Sequence, residues 1–126
     1  ELGQTLGEAL LVPHRAYYPA VRGVLRYVKA MAHITGGGLQ ENVPRALPPG
    51  LGVRLDTAAW PVPAIFTALA EMTSISREEM YRVFNMGLGM VLVCDPDMSG
   101  RVMSLTPEAR VVGEVAPATD EERVIL

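Results

Sequence analysis

Ala30-Met31-Ala32-His33-Ile34-Thr35-Gly36-Gly37-Gly38-Leu39-Gln40-Glu41-Asn42 runs from a short apolar segment into three consecutive glycines and out again into helix-forming residues. Residues 30–34, apolar and closely followed by chain-breaking glycines, read as a buried strand. Beyond the glycines, Leu39, Val43 and Leu47 keep helical spacing, and Pro44 limits that helix to a short or broken one. Upstream, Val21, Val24, Leu25 and Val28 recur at i, i+3, i+4 and i+7 and predict a helix over 20–29, with Pro19 tolerated in its first turn. Residues 1–12 form a weakly patterned lead-in.

Downstream, Pro48-Pro49-Gly50 makes a turn, and Val53 and Leu55 alternate with Arg54 and Asp56 as a strand with one face exposed. Pro61 opens a helix over 62–72 whose buried stripe is Val62, Ile65, Phe66, Leu69 and Met72. Ser76 followed three residues later by Glu79 is a capping box, and Met80, Val83 and Phe84 mark the inner face of the helix it starts. Gly87 and Gly89 stop that helix. Met90–Cys94 is an uninterrupted apolar run of strand length, which places it at the centre of a sheet, covered on both sides. A helical turn over 101–105, a strand over 110–116 and a tail that pairs at an edge or frays complete the chain. This alternation predicts an α+β fold, an α/β/α three-layer sandwich with one mixed sheet of about four or five strands and helices on both faces.

With 126 residues the chain fits a single domain, and 49 % hydrophobic against 20 % charged residues excludes general disorder. Eleven basic and fourteen acidic side chains, a net charge of −3, offer no footprint for a nucleic-acid backbone. No apolar stretch approaches bilayer-spanning length, so no membrane partner is expected. The one cysteine, Cys94, sits in an apolar run, where it suits a reducing cytoplasm and a small buried hydrophobe. The chain does not begin with methionine and reads as part of a longer protein.

The glycine run is the strongest chemical signal. A strand leading through Thr35, Gly36, Gly37 and Gly38 into a helix start presents several backbone N–H groups with no Cβ in the way, a geometry that suits a phosphate. A plain tight turn is the competing reading, and the spacing matches neither the P-loop nor the dinucleotide fingerprint. A second glycine segment, Phe84-Asn85-Met86-Gly87-Leu88-Gly89-Met90, joins a helix to the apolar strand. Gly87 there is either a helix C-cap or part of a ligand loop, and the Asn85 amide can hydrogen-bond a ligand. A shared site requires both loops at one edge of the sheet. His14 and His33 are the only histidines, and with one cysteine they make no recurrent metal-binding spacing, so no metal site is expected. His33 is either a hydrogen-bonded core residue or a ligand group beside the glycines. Arg15 either contacts a phosphate or lies over the aromatic pair Tyr17 and Tyr18. Glu41 is an acid, base or metal partner, or a favourable charge at a helix start.

Three runs carry a resemblance: Leu6-Gly7-Glu8-Ala9-Leu10-Leu11; Met31 to Leu39 with Glu41-Asn42-Val43-Pro44-Arg45; and Phe84 to Met90. In these the chain resembles the carboxy-terminal domain of the phosphoribosylformylglycinamidine cyclo-ligase family, the aminoimidazole ribonucleotide synthetases, from about residue 1 to residue 115. His14 departs from it, standing where the family usually has threonine, and the stretch 97–109 is short, so a reduced helix is expected there. The resemblance implies an ATP-dependent closure of the imidazole ring of formylglycinamidine ribonucleotide, giving aminoimidazole ribonucleotide, ADP and phosphate. It further implies that an amino-terminal domain, absent from residues 1–126, carries most ligands for ATP and Mg²⁺ and the homodimer contact. By itself, this domain is then expected to be inactive. Thr35, Gly36, Gly37, Gly38, Asn42, Arg45 and Gly87 are the expected phosphate or substrate residues, with His33 and Asn85 as catalytic candidates. The alternatives are a related ATP-dependent enzyme (a formylglycinamidine amidotransferase, selenophosphate synthetase or thiamin-monophosphate kinase) or a non-catalytic module that binds a phosphate ligand.

Overall fold

Two sheets, not one, organise the chain in its computed structural model, which describes residues 3–126. Strand β1 (Val28–His33) pairs antiparallel with β3 (Met90–Cys94), His33 lying opposite Met90 and Met31 opposite Leu92. Strand β2 (Leu51–Leu55) is the middle of a second sheet, between β4 (Gly113–Pro117), antiparallel, and β5 (Val124–Ile125), parallel. The tail therefore pairs. Gly52 and Gly113 permit these pairings, since a Cβ on either would strike the backbone carbonyl oxygen of Arg123 or Arg54.

The single central sheet expected around Met90–Cys94 is thus not what forms, because β3 has β1 as its one hydrogen-bonded neighbour. Its apolar run has another cause. Val91 packs into the main core with Ala32, Val53 and Leu55, whereas Met90, Leu92 and Cys94 pack on the opposite side against Val21, Val24 and Val102. One face of the ribbon packs toward the main core, to which β2 and α3 contribute, and the other toward Val21 of α2 and Val102 of α6, so β3 meets apolar neighbours on both sides although it lies at a sheet edge and only Val91 is buried outright.

The helices are α1 (Leu6–Leu10), α2 (Tyr18–Val21), α3 (Gly38–Arg45), α4 (Ala64–Thr73), α5 (Arg77–Val83) and α6 (Ser99–Leu105). The helix expected over 20–29 is replaced by α2, a 3₁₀ turn at Leu25–Tyr27 and the start of β1. Gly23 sits where it would have to continue, and glycine weakens a helix interior by about 1 kcal/mol. Val21 and Val24 are still buried, which is the part of the stripe that packing needed. In α4 the expected stripe is half-buried and Met72 is exposed. In α5 the inner residues are Met80 and Tyr81, while Val83 is exposed and Phe84 ends the helix. Ser76 caps α5 through the Glu79 N–H, but the Glu79 carboxylate turns to Arg82, so the box is half formed. A complete capping box, Thr5 with Glu8, opens α1 inside the lead-in that showed little pattern.

Ile34, Leu39, Met80 and Val43 are fully buried at the centre of the main core, each contributing roughly 1.5–3 kcal/mol by leaving water. Trp60 joins them and donates its indole N–H to the Met86 carbonyl at 3.0 Å. Among the described residues no helix is long and apolar enough to cross a membrane.

Candidate functional site

Because β1 and β3 run antiparallel, the loop leaving β1 and the loop entering β3 emerge at the same end of the ribbon. The Ile34 N–H donates to the Gly89 carbonyl at 2.9 Å and extends the pairing into both loops. The requirement that the two glycine segments share one sheet edge is met.

The first loop turns through Gly37 at φ +92° and Gly38 at φ +56°, values that L side chains rarely adopt. Gly38 is buried beneath the end of α5, where a Cβ would strike the carbonyl oxygens of Tyr81, Arg82 and Phe84. Buried Asn42, one turn into α3, donates through Nδ2 to the carbonyls of Gly38 (2.8 Å), Gly36 (3.2 Å) and Thr35 (3.4 Å). Its amide is occupied in holding the loop, which makes it a positioning residue. The Glu41 carboxylate folds over Gly37, with Oε2 only 2.5 Å from where a Cβ would be, and pairs with Arg45 at 3.2 Å. Gly36, by contrast, faces open space.

In the second loop Asn85 Oδ1 accepts the Gly87 N–H at 3.0 Å, closing a tight side-chain turn. Met86 and Gly87 follow at φ +49° and +97°, the Gly87 Cα facing the Pro63 ring. Gly89 lies directly beneath the Tyr17 hydroxyl, a contact only glycine allows.

His33 ends β1 with its side chain exposed rather than in the core, and its Nε2 is 2.8 Å from Nε2 of His14. The Tyr17 ring stands edge-on to both imidazoles. Arg15 is not free for a phosphate: it forms a two-pronged ion pair with Glu108, one contact at 2.6 Å, and lies over the Tyr17 ring. Hydrogen bonding from Arg15 holds the Glu108 carboxyl below its usual range and raises Arg15. His14, Tyr17 and Glu108 were not recognised from sequence as parts of one cluster, since 19 residues separate the histidines and 93 separate the ion pair, spacings with no periodicity to read.

Beside this cluster a groove of about 780 Å³ runs between the two sheets. Its lining includes the polar side chains of Arg15, Tyr17 and Glu108 and the apolar ones of Val53, Val91 and Val102. It does not reach residues 35–38. Glu41, Glu79, Asp95, Glu108 and Glu114 each pair with a cation, and the described residues gather no group of three or more potential metal ligands of the His, Cys, Asp and Glu type. The donor set of the described residues therefore does not fit a Mg²⁺ site.

The arrangement of helices and antiparallel strands defines a class of α+β domain whose fold HypE from E. coli shares. That solved structure superposes with a TM-score of 0.60 at 20 % identity, over 90 % of this chain and 39 % of HypE, which speaks to the fold alone. The chain belongs to the family described as AIR synthase related protein, C-terminal domain, which it matches over residues 1–125. Curated relatives named phosphoribosylformylglycinamidine cyclo-ligase include those of Desulfitobacterium hafniense (strain DSM 10664 / DCB-2), 46 % identical over 92 % of this chain, and Geobacillus kaustophilus, 47 % identical over 88 %. A third, from Desulfotalea psychrophila, is 43 % identical over all of it. The chain spans about a third of their length, 34 % to 38 % in these three.

Proposed function

We propose that this chain is the carboxy-terminal domain of a cyclo-ligase that spends ATP to close the imidazole ring of formylglycinamidine ribonucleotide, forming aminoimidazole ribonucleotide, ADP and phosphate. The observation that carries this is the 43–47 % identity, across nearly the whole chain, to proteins of that name. The partners are the ribonucleotide, ATP, the chain's own amino-terminal domain and, at full length, a second copy. The compartment is the cytoplasm, in keeping with a lone, half-buried thiol.

In this reading the N–H groups of Thr35, Gly36 and Gly37 receive a phosphate of the ribonucleotide or the phosphoryl group in transfer, while the Gly38 N–H, which donates to the Thr35 carbonyl at 3.1 Å, closes the turn. Glu41 covers that approach in the unliganded chain. The Glu41–Arg45 pair is exposed, so opening it costs little, at most about 1 kcal/mol. The incoming anion then replaces the carboxylate and takes the Arg45 guanidinium as a charge-assisted donor. Asn42 braces the loop by donating to the carbonyls of Thr35, Gly36 and Gly38. Asn85 acts through the Gly87 turn, and His33, exposed at the ribbon end, is placed to exchange a proton with the closing ring. Phosphoryl transfer needs positioning and charge stabilisation that this donor set lacks, so the remainder of the protein supplies the ligands for nucleotide and Mg²⁺. Steady-state assays with ATP and formylglycinamidine ribonucleotide test the reading: full-length protein turns over and the isolated chain does not. Robust turnover by the isolated chain would sink the division of labour, and a full-length protein inert toward this ribonucleotide would sink the reaction.

A further inference from the structure

The contact between His14 and His33 has a chemical use independent of that reaction. Two Nε2 atoms at 2.8 Å share one hydrogen: one nitrogen carries it and the other offers its lone pair. Both side chains are exposed. His33 is fixed by its place at the end of β1 opposite Met90, and Tyr17 packs edge-on against both rings, with centroids 5.8 Å from His14 and 5.9 Å from His33. Arg15, which follows His14 in the chain, is paired with Glu108.

We propose that His14 and His33 form a two-histidine site for a late first-row divalent cation of the Zn²⁺, Ni²⁺ or Cu²⁺ class. The ion takes the place of the shared hydrogen. The hydrogen on that Nε2 passes, by exchange with solvent, to Nδ1 of the same ring, with no net release of a proton; both rings are then neutral Nδ1–H tautomers, and both Nε2 lone pairs turn to the metal. At metal–nitrogen bonds of about 2.0–2.1 Å and a tetrahedral angle, the two nitrogens stand about 3.3 Å apart. The rings therefore separate by only about 0.5 Å, a small rotation for exposed side chains. Water or an added ligand fills the remaining positions. Imidazole nitrogen selects these ions over Mg²⁺, which demands oxygen ligands.

The test is titration of the metal-stripped full-length protein with Zn²⁺ and Cu²⁺, alongside His14→Thr, His33→Gln and His14→Cys variants whose folding is checked by circular dichroism. Zn²⁺ affinity should fall roughly 10–100-fold or more in His14→Thr and His33→Gln, since loss of a direct ligand costs at least what loss of its supporting partner does. His14→Cys should retain Zn²⁺, because a thiolate replaces imidazole as ligand. Electron paramagnetic resonance of the Cu²⁺ form should report two nitrogen ligands in the native protein and fewer in His14→Thr, with Mg²⁺ causing no change. Equal Zn²⁺ affinity in native protein and His14→Thr, or an unchanged nitrogen count, would overturn the site. So would a native protein that binds neither ion.

Discussion

The two glycine loops at the end of the β1–β3 ribbon are built on opposite plans. The loop at residues 35–38 is held from behind by one side chain, Asn42, and closed in front by another, Glu41. The loop at residues 85–89 is pressed from outside, by Pro63 on Gly87 and Tyr17 on Gly89, and Trp60 grips its backbone at Met86. In the first, the glycines combine rare backbone angles with a face left open at Gly36. In the second, they make room for neighbouring rings. Glycine-rich segments that look equivalent in sequence thus differ in packing: the first leaves one glycine, Gly36, facing open space, and the second sets Gly87 and Gly89 against neighbouring rings.

The sharpest way to break this contrast is at Gly38. Gly38→Ala places a Cβ against three backbone carbonyls at a positive φ, and neither backbone can yield. A loss of about 3 kcal/mol or more is expected, read as a collapsed thermal transition. A well-folded Gly38→Ala protein would mean that the first loop is far softer than its packing implies. Next come the two asparagines. Asn42→Ala removes the amide that donates to the carbonyls of Gly38, Gly36 and Thr35, the first of these bonds buried, and should cost about 1–3 kcal/mol in a urea titration. Asn85→Ala removes one turn-closing bond and should cost only about 0.5–1.5 kcal/mol. Equal losses would erase the distinction between a loop tied from within and one packed from outside.

Gly36→Ala sharpens the comparison differently. Its Cβ would meet nothing and its φ is not positive, so stability should shift by no more than about 0.5–1 kcal/mol, in the stabilising direction. Ribonucleotide affinity of the full-length protein should nevertheless fall, because a methyl group intrudes on the approach of the anion. Unchanged affinity would reduce residues 35–38 to a plain turn. Gly37→Val is the weaker probe, since its side chain collides with Glu41 whether or not a phosphate binds.

The smallest effect is electrostatic. Glu108 is held below its ordinary value of 4.5 chiefly by hydrogen bonding from Arg15. Such a group contributes stability above the unfolded value, and the contribution disappears as pH falls through the lowered folded value. The stability difference between native protein and Glu108→Gln should therefore be present near about pH 7, shrink below about pH 4.5 and be smaller in high salt. A difference that grows toward acid would reverse the assignment.

Features that arise within a few residues are legible in the amino-acid sequence alone. The strand into Gly36–Gly38, the helix after it with its early stop near Pro44, and the cap at Ser76 all follow from local sterics and hydrogen bonding, which a short window contains. That Met90–Cys94 meets apolar neighbours on both sides is legible too, although only Val91 is buried outright, since continuous apolarity reports how many faces touch apolar groups. It does not report how many strands are neighbours, and the division into two sheets came instead from which segments β2 recruited. The broken helix over 20–29 follows the same logic: Val21 and Val24 needed one buried face, and a short helix with a 3₁₀ turn provides it. The candidate cradle is readable as glycines and N–H groups, but its cover by Glu41 and its brace by Asn42 depend on side-chain directions. The His14–His33 contact and the Arg15–Glu108 pair lie furthest from view. Such pairs form between chain segments brought together by the packing of both sheets, and no local periodicity encodes where a side chain will meet a partner 19 or 93 residues away.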